Sequence, residues 1–420
     1  MAGPYTIGDE EWKYLSTLNM CIQLLLVIML GAVAGYLKIF QVESFVPQST
    51  RFIFCVALPC LVINGLGIQI DLLDDKYLWR FIAVFLILRA IALVVAFGIV
   101  VIRKQNGIGQ VAVLWLAMTW ISTIIIGVPI ASAVFKDPKV GQKYGVLAGI
   151  SSFIFQLPVQ LFFLECHTLE EEHLASKNRE TVNPDMERAD KVAPNSDQNN
   201  NAPEQQEQPE NDNEVQNEAS AITLPAENLN RMTLWLGFAK RGDIWLKILK
   251  QVIRNPVLCA IGIGFILDLS RLGPKYLKAT SADFVPGLGW ISSTLAFLGN
   301  GTVTPLALFT MGLWMEQQGA ALFRMSTLSA VAFMVSKLVI VPFVALGLAK
   351  AMDLDDIGGR AAVLIAALPI SMASFSLANR YGIGEAIMAE NVALGTLLVL
   401  PTIIIWNLIL DEIDVYPIPE

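Results

Sequence analysis

The stretch AALPISMASFSLANRYG, Ala366–Gly382, decides how the chain folds. It is apolar enough to lie in a bilayer, yet Pro369 interrupts it, and Ser371, Ser374 and Ser376 crowd behind the interruption. Proline has no N–H, and its ring displaces the carbonyl four residues back, here that of Ile365. A carbonyl freed in hydrocarbon needs a partner, so a broken helix there must lie against protein or a watery cavity. A second stretch of the same kind lies in the first half. It is TWISTIIIGVPIASAVF, Thr119–Phe135, with Ser122, Thr123, Gly127 and Pro129. Single kinked helices with proline and glycine are ordinary in membranes. Two interrupted hydrophobic segments at matching places in two halves point further, to the central site of a transporter. The pattern predicts breaks at Pro129 and Pro369 that meet at one central point.

Composition agrees with a bilayer as solvent. Of 420 residues, 55% are hydrophobic and 16% charged, with a mean hydropathy of +0.57. A soluble enzyme would carry roughly a quarter charged residues. The first apolar run follows the acidic Asp9, Glu10 and Glu11 and is long enough to span, so it is expected to remain as a helix rather than be cleaved. The net charge of −8 is unevenly spread: residues 170–230 carry −11 and the remainder +3. Cys21, Cys55, Cys60, Cys166 and Cys259 fall in or beside apolar runs without ligand spacing, which suits packing rather than metal binding or disulfides.

A helix crossing the hydrocarbon needs about 20 residues. The candidate spans are Leu18–Tyr36, Phe52–Ile70, Leu78–Ile102, Val111–Phe135 and Gly145–Leu164, then Trp245–Leu269, Gly289–Met315, Thr327–Met352, Ala361–Tyr381 and Ala389–Leu410. The predicted fold is thus an all-α membrane protein of ten helices. A first five-helix repeat covers residues 1–165, a loop 166–244, and a second five-helix repeat 245–420. Five is odd, so the second set must cross in the opposite sense, as an inverted repeat. Residues from about His167 to Asn230 are rich in Glu, Asn, Gln and Pro, and this composition predicts disorder. The run before span six mixes Trp, Leu and Ile with Lys240, Arg241, Lys247, Lys250 and Arg254, which predicts an interfacial helix. That basic cluster places the loop in the cytoplasm.

Charges deep in the spans are few. Arg89 and Lys337 each lie near the middle of the third helix of their set. A charge at mid-membrane costs roughly 2.5–3.5 kcal/mol on insertion scales and faces the bundle interior. Each is read either as a pathway residue or as a supporting cation bonded to carbonyls at a helix break. Glu165, Asp268 and Glu390 sit at span ends, which disfavours cation exchange and favours an anionic or neutral substrate. The candidate substrate-binding set is Asn64, Ser122, Thr123, Gly127, Pro129, Gln156, Pro369, Ser371, Ser374 and Ser376, with Arg89 and Lys337 in support. Gln160, Asn300, Thr304 and Asn379 serve equally as interhelical hydrogen-bonding groups. GxSxG, HExxH and GxxxxGK[ST] are absent, so no enzyme, cofactor or metal site is expected.

Several local patterns, in order, resemble the auxin efflux carrier family of membrane transporters. They are RFIFCVALP (Arg51–Pro59), WRFIA (Trp79–Ala83) followed by Arg89, STIIIGVP (Ser122–Pro129) and IRNP (Ile253–Pro256). TPLALFTMG (Thr304–Gly312), KLVIVP (Lys337–Pro342), AALP with SFSLANRYG, and LVLP (Leu398–Pro401) complete the series. The resemblance implies two inverted five-helix repeats with broken, crossing helices four and nine. It also implies export of small organic anions by a scaffold part and a moving part. Spans one, two, six and seven would be the scaffold. Ser122 stands where the plant carriers have asparagine, Ser374 where they have a second proline, and Phe85 where they have an acid. The partners implied are a small organic anion and the lipid bilayer, with no nucleic acid; a homodimer and regulators of the loop stay open. A plasma or endoplasmic reticulum membrane is expected. Two alternatives remain: a cation-coupled carrier of organic anions on the same fold, and a sensor that binds ligand without moving it.

Overall fold

The computed structural model describes residues 9–72, 76–103, 107–135, 138–172, 242–279, 281, 283–319 and 328–417. These form helices joined by short turns, with one isolated β-bridge. In chain order they are α1 Asp9–Tyr36, α2 Val42–Gln69, α3 Lys76–Ile102, α4 Ile108–Thr119, α5 Thr123–Val134 and α6 Lys139–Glu172. Then come α7 Gly242–Ile253, α8 Pro256–Leu269, α9 Gly289–Gly299, α10 Val303–Gln318 and α11 at 328–351. The last four are α12 Asp356–Ala366, α13 Met372–Arg380, α14 Glu385–Leu397 and α15 Val399–Glu412. One compact unit comprises residues 1–164 and 245–420, and a second 165–244. Of the second, residues 165–172 continue α6 and 242–244 begin α7. Helix therefore persists through Glu172, beyond the predicted loop start at 166, and residues 173–241 of that loop lie outside the described residues.

Among the described residues, six helical segments are long and apolar enough to cross a membrane, or up to eight if two bent pairs each count as one. The bends have local causes. Between α7 and α8 the axis turns by 65°, at a position where Asn255 caps the new helix through Oδ1 to the N–H groups of Val257 and Leu258 and Pro256 follows. A side-chain cap followed by proline is the signature of a fresh helix start. The predicted span Trp245–Leu269 is thus two helices. Ile244 and Ile248 of α7 are buried, while Lys247 and Lys250 are exposed, a two-faced helix. Between α14 and α15 the axis turns by 60°, beside Pro401, whose ring displaces the carbonyl of Leu397.

Four other prolines are accommodated without a break. Residues 53–57, 123–127, 152–156 and 336–340 are each a widened π turn. Pro59, Pro129, Pro158 and Pro342 follow two residues after these turns. The carbonyl that each ring displaces belongs to Cys55, Ile125, Ile154 or Leu338, the middle residue of its π turn. Widening the helix there relieves the clash while the chain stays helical. At Leu338 the displaced carbonyl accepts a hydrogen bond from Trp406 Nε1 at 2.9 Å.

Burial separates two kinds of helix. α1 presents Leu26, Met29, Leu30 and Val33 outward, each at least half exposed. That is the surface expected against lipid tails. Every residue from Arg360 to Leu368, by contrast, is at most 2% exposed. Nearly all of α4 is buried as well. A helix buried on all sides lies at the centre of its bundle, and the two central ones are those that stop short at the interrupted stretches. Around them α1 packs along α10 at very close range: a Cβ added at Gly312 would lie 2.0 Å from the carbonyl oxygen of Ile28. Only glycine permits that approach.

Candidate functional site

α4 ends at Thr119, and α5 begins at Thr123. α12 ends at Ala366, and α13 begins at Met372. The two gaps meet. Ile121 and Ile370 form an antiparallel bridge, with the N–H of Ser122 donating to Pro369 O at 3.0 Å and that of Ser371 donating to Trp120 O at 2.9 Å. Backbone groups that the two interrupted helices leave unmet thus satisfy each other in the middle of the molecule, as buried backbone must. The predicted break at Pro369 is there. The other is not at Pro129, which sits in the first turn of the helix at Val128–Val134 after its π turn. That break lies at residues 120–122, some seven residues earlier.

Two clefts flank the bridge. The first, about 500 Å³, is lined by Thr50 and Phe54 of α2, Thr310 and Met311 of α10, and Ser122 and Ser376 among others. The second, about 410 Å³, is lined by Phe54, Ser122, Thr123, Phe153 and Ser371 among others. Ser122 belongs to both, and its hydroxyl has no hydrogen-bond partner among the described residues. Ser371 caps α13, its Oγ accepting from Ala373 N–H at 3.3 Å. The N–H of Met372, which lines the first cleft, has no acceptor within its own helix.

The remaining candidates are placed otherwise. Ser374 is fully buried, and its hydroxyl donates to Ser371 O at 2.6 Å, so it stiffens α13 and lines neither cleft. Ser376 lines the first cleft while donating to Met372 O at 3.2 Å. Gly127, Pro129, Gln156 and Pro369 line neither cleft. Gly127 instead approaches the other break: a Cβ there would lie 2.7 Å from Leu368 Cδ1. Asn64 is buried away from both clefts, its Oδ1 unpaired among the described residues. Thr310 and Thr396, which line the first cleft, were missed; each is a polar group inside an apolar helix, and that was the available signal.

Arg89 and Lys337 both act on the helix ends that precede the gaps. Lys337 Nζ donates to Ala366 O at 3.0 Å, at the C-terminal end of α12. A cation there offsets carbonyls that lack helical donors. Arg89 spreads its guanidinium over α6, with Nε to Gln156 Oε1 at 3.0 Å, Nη1 to Ser151 Oγ at 2.8 Å and Nη2 to Ser152 Oγ. Gln156 Nε2 then donates to Thr119 Oγ1 at 2.6 Å, the last residue of α4. Both cations are thus hydrogen-bonded at or next to these helix ends. Neither cation has a carboxylate partner among the described residues.

A model of the family described as membrane transport protein matches residues 17–407. The chain belongs to this membrane transport protein family, the auxin efflux carrier family. Among curated proteins it is 25% identical over 295 residues to auxin efflux carrier component 8 of Arabidopsis thaliana, covering 69% of this chain and 68% of that one. It is an integral membrane transporter, and the family is one of transporters rather than enzymes.

A third buried cation escaped the sequence reading. Arg360, fully buried at the start of α12, donates to Asn407 Oδ1 at 2.9 Å and to Tyr416 O at 3.2 Å, and pairs with Asp411 at 2.8 Å. It ties α12 to α15 and the segment after it. Burial and the nearby Asp353, Asp356 and Asp355 push the Tyr416 hydroxyl up to about 12.

Proposed function

We propose that this family member is a secondary transporter that exports a small organic anion, auxin or another carboxylate, through the bridge between residues 120–122 and 369–371. Counting α4 with α5 and α12 with α13 as broken crossings, beside the eight spans, makes ten helices in two inverted five-helix repeats. The observation that carries the reading is the meeting of the two gaps, where helix starts and hydroxyls converge on narrow clefts. Helix N-termini hold partial positive charge and free N–H groups, which suit a carboxylate. Ser122, Thr123, Ser371 and Ser376 are the proposed anion contacts. Arg89 and Lys337 set the geometry from behind. α3–α6 and α11–α15 form the proposed moving part, sliding against the scaffold of α1, α2 and α7–α10. The clefts lie along that seam, since Thr50, Phe54 and Thr310 face Ser122 and Ser376 across the first.

Purified protein in liposomes, loaded with labelled indole-3-acetate or a dicarboxylate, tests the reading. Efflux above that of empty liposomes, competed by unlabelled carboxylates, is expected. Imposed sodium or proton gradients separate simple from coupled export. Carboxylate binding in detergent without flux in any gradient would establish a sensor instead. Neither binding nor flux with any carboxylate would sink the proposal.

A further inference from the structure

Away from the bridge, the outer faces of α3 and α11 enclose a larger and very different cleft. Its volume is about 860 Å³, against about 500 and 410 Å³ for the clefts beside the bridge. Leu88, Val95, Ile99 and Arg103 form its α3 wall, and Ser336 and Ile340 belong to its α11 wall. Positions 88, 95, 99 and 103 share one face of a helix, and they span fifteen residues, or about 22 Å of rise. One leaflet of hydrocarbon is about 15 Å deep, half of the usual ~30 Å core. The cleft therefore runs from the depth of the buried cations to the end of the span. Nearly everything along it is apolar. At its outer end stands Arg103, exposed, its guanidinium without a partner among the described residues. The next residue in sequence, Lys104, is basic too.

We infer that this cleft is a binding site for one phospholipid with an anionic headgroup, its acyl chain along α3 and α11 and its phosphate at Arg103. Length, apolar lining and a single cation at the mouth match that ligand together. A zwitterionic lipid also offers Arg103 a phosphate, but its own ammonium offsets that charge, whereas an anionic headgroup leaves net negative charge for the guanidinium; a water-filled cleft of such lining in hydrocarbon would be costly. On the orientation read from the loop charges, Arg103 faces the cytoplasmic leaflet, where anionic lipids concentrate. The inner wall gives the site a consequence. Leu88, Met118 and Ser336 line it, and each is the sequence neighbour of a residue in the hydrogen bonds at the helix ends beside the bridge: Arg89, Thr119 and Lys337. A chain filling the cleft braces those supports from the lipid side.

The test uses the full chain, purified and examined by native mass spectrometry with equal amounts of palmitoyl-oleoyl phosphatidylserine and phosphatidylcholine. Wild type is expected to retain one phosphatidylserine in preference, by about fivefold, the effect of one basic residue near an anionic lipid surface. Arg103→Gln, at an exposed position that leaves packing alone, should abolish the preference. Val95→Trp, which places an indole in the cleft, should abolish retention of either lipid, while Val94→Trp, on the neighbouring lipid face (71% exposed), should not. Equal retention of the two lipids by wild type would overturn the inference. So would a preference that survives Arg103→Gln, or a lipid-free dimer that Val95→Trp splits, since a second copy would then cover the cleft.

Discussion

The N–H of Ser122 donates to the carbonyl of Pro369 at 3.0 Å, across 247 positions of sequence. Pro369 cannot return the bond, so Ser371 does, to Trp120 at 2.9 Å. The pairing is therefore staggered about Ile121 and Ile370, and both helices must stop to make it. Any motion at this point carries the two gaps together.

Pro369→Ala should slow transport about tenfold or more. Alanine restores an N–H that can bond to Ile365 O, lengthening α12 into the gap. One or two backbone bonds at the bridge then compete with helix, at about 0.5–1.5 kcal/mol each. Efflux rates from liposomes check this, with hydrogen exchange at Ser122 reporting the bridge. An unchanged rate with a faster-exchanging Ser122 would show that export does not need it.

The serines should divide by where their hydroxyls point. Ser122→Ala should weaken carboxylate affinity about tenfold or more, because a hydrogen bond to a charged group contributes roughly 1.5–3 kcal/mol. Ser374→Ala should leave affinity alone and lower stability by about 1 kcal/mol, the usual worth of a neutral bond. Titration calorimetry and thermal melts of both variants separate the two effects. The opposite pattern would move the site to the interior of α13.

Lys337→Ala should lower the melting temperature and transport far more than Lys350→Ala. The first strips a buried carbonyl of its donor, at about 1–3 kcal/mol, whereas Lys350 is exposed at the end of α11. Arg89→Lys should fail to restore function, since one ammonium cannot reach Gln156, Ser151 and Ser152 together as a guanidinium does. Matching melts for the two lysine variants would remove the supporting role.

Arg360→Ala should destabilise by about 3–5 kcal/mol, the range for a buried ion pair that loses one partner. Asp411→Asn should cost much less, because Asp411 is 30% exposed and Arg360 keeps Asn407. Denaturant or thermal unfolding in detergent measures both. Comparable losses would mean that Asp411, rather than Asn407, holds the guanidinium.

Much of this site was legible in the residues. Composition named the bilayer, and Pro369 marked its own break, because a missing N–H and a displaced carbonyl are covalent facts that no packing can undo. Arg89 and Lys337 were conspicuous because charge in hydrocarbon is costly and must be answered. Arg360 was not. It lies four residues after Asp356 at a predicted span boundary, where an arginine ordinarily reaches water. Its partners Asn407, Asp411 and Tyr416 come from the far end of the chain.

What the sequence by itself determined is where the helix cannot continue undisturbed: at prolines, each of which displaces the carbonyl four residues back. What only the tertiary structure decided is how each disturbance is resolved. At Pro129 the same covalent chemistry as at Pro369 yields a π turn and no gap, whereas Trp120, Ile121 and Ser122, which carry no breaking residue, leave the helix altogether. They do so because the residues at 369–371 offer backbone partners that a continuous helix would leave unmet, and buried N–H and C=O groups go where they are satisfied. A break made by proline is local; a break made by a partner needs the partner in place.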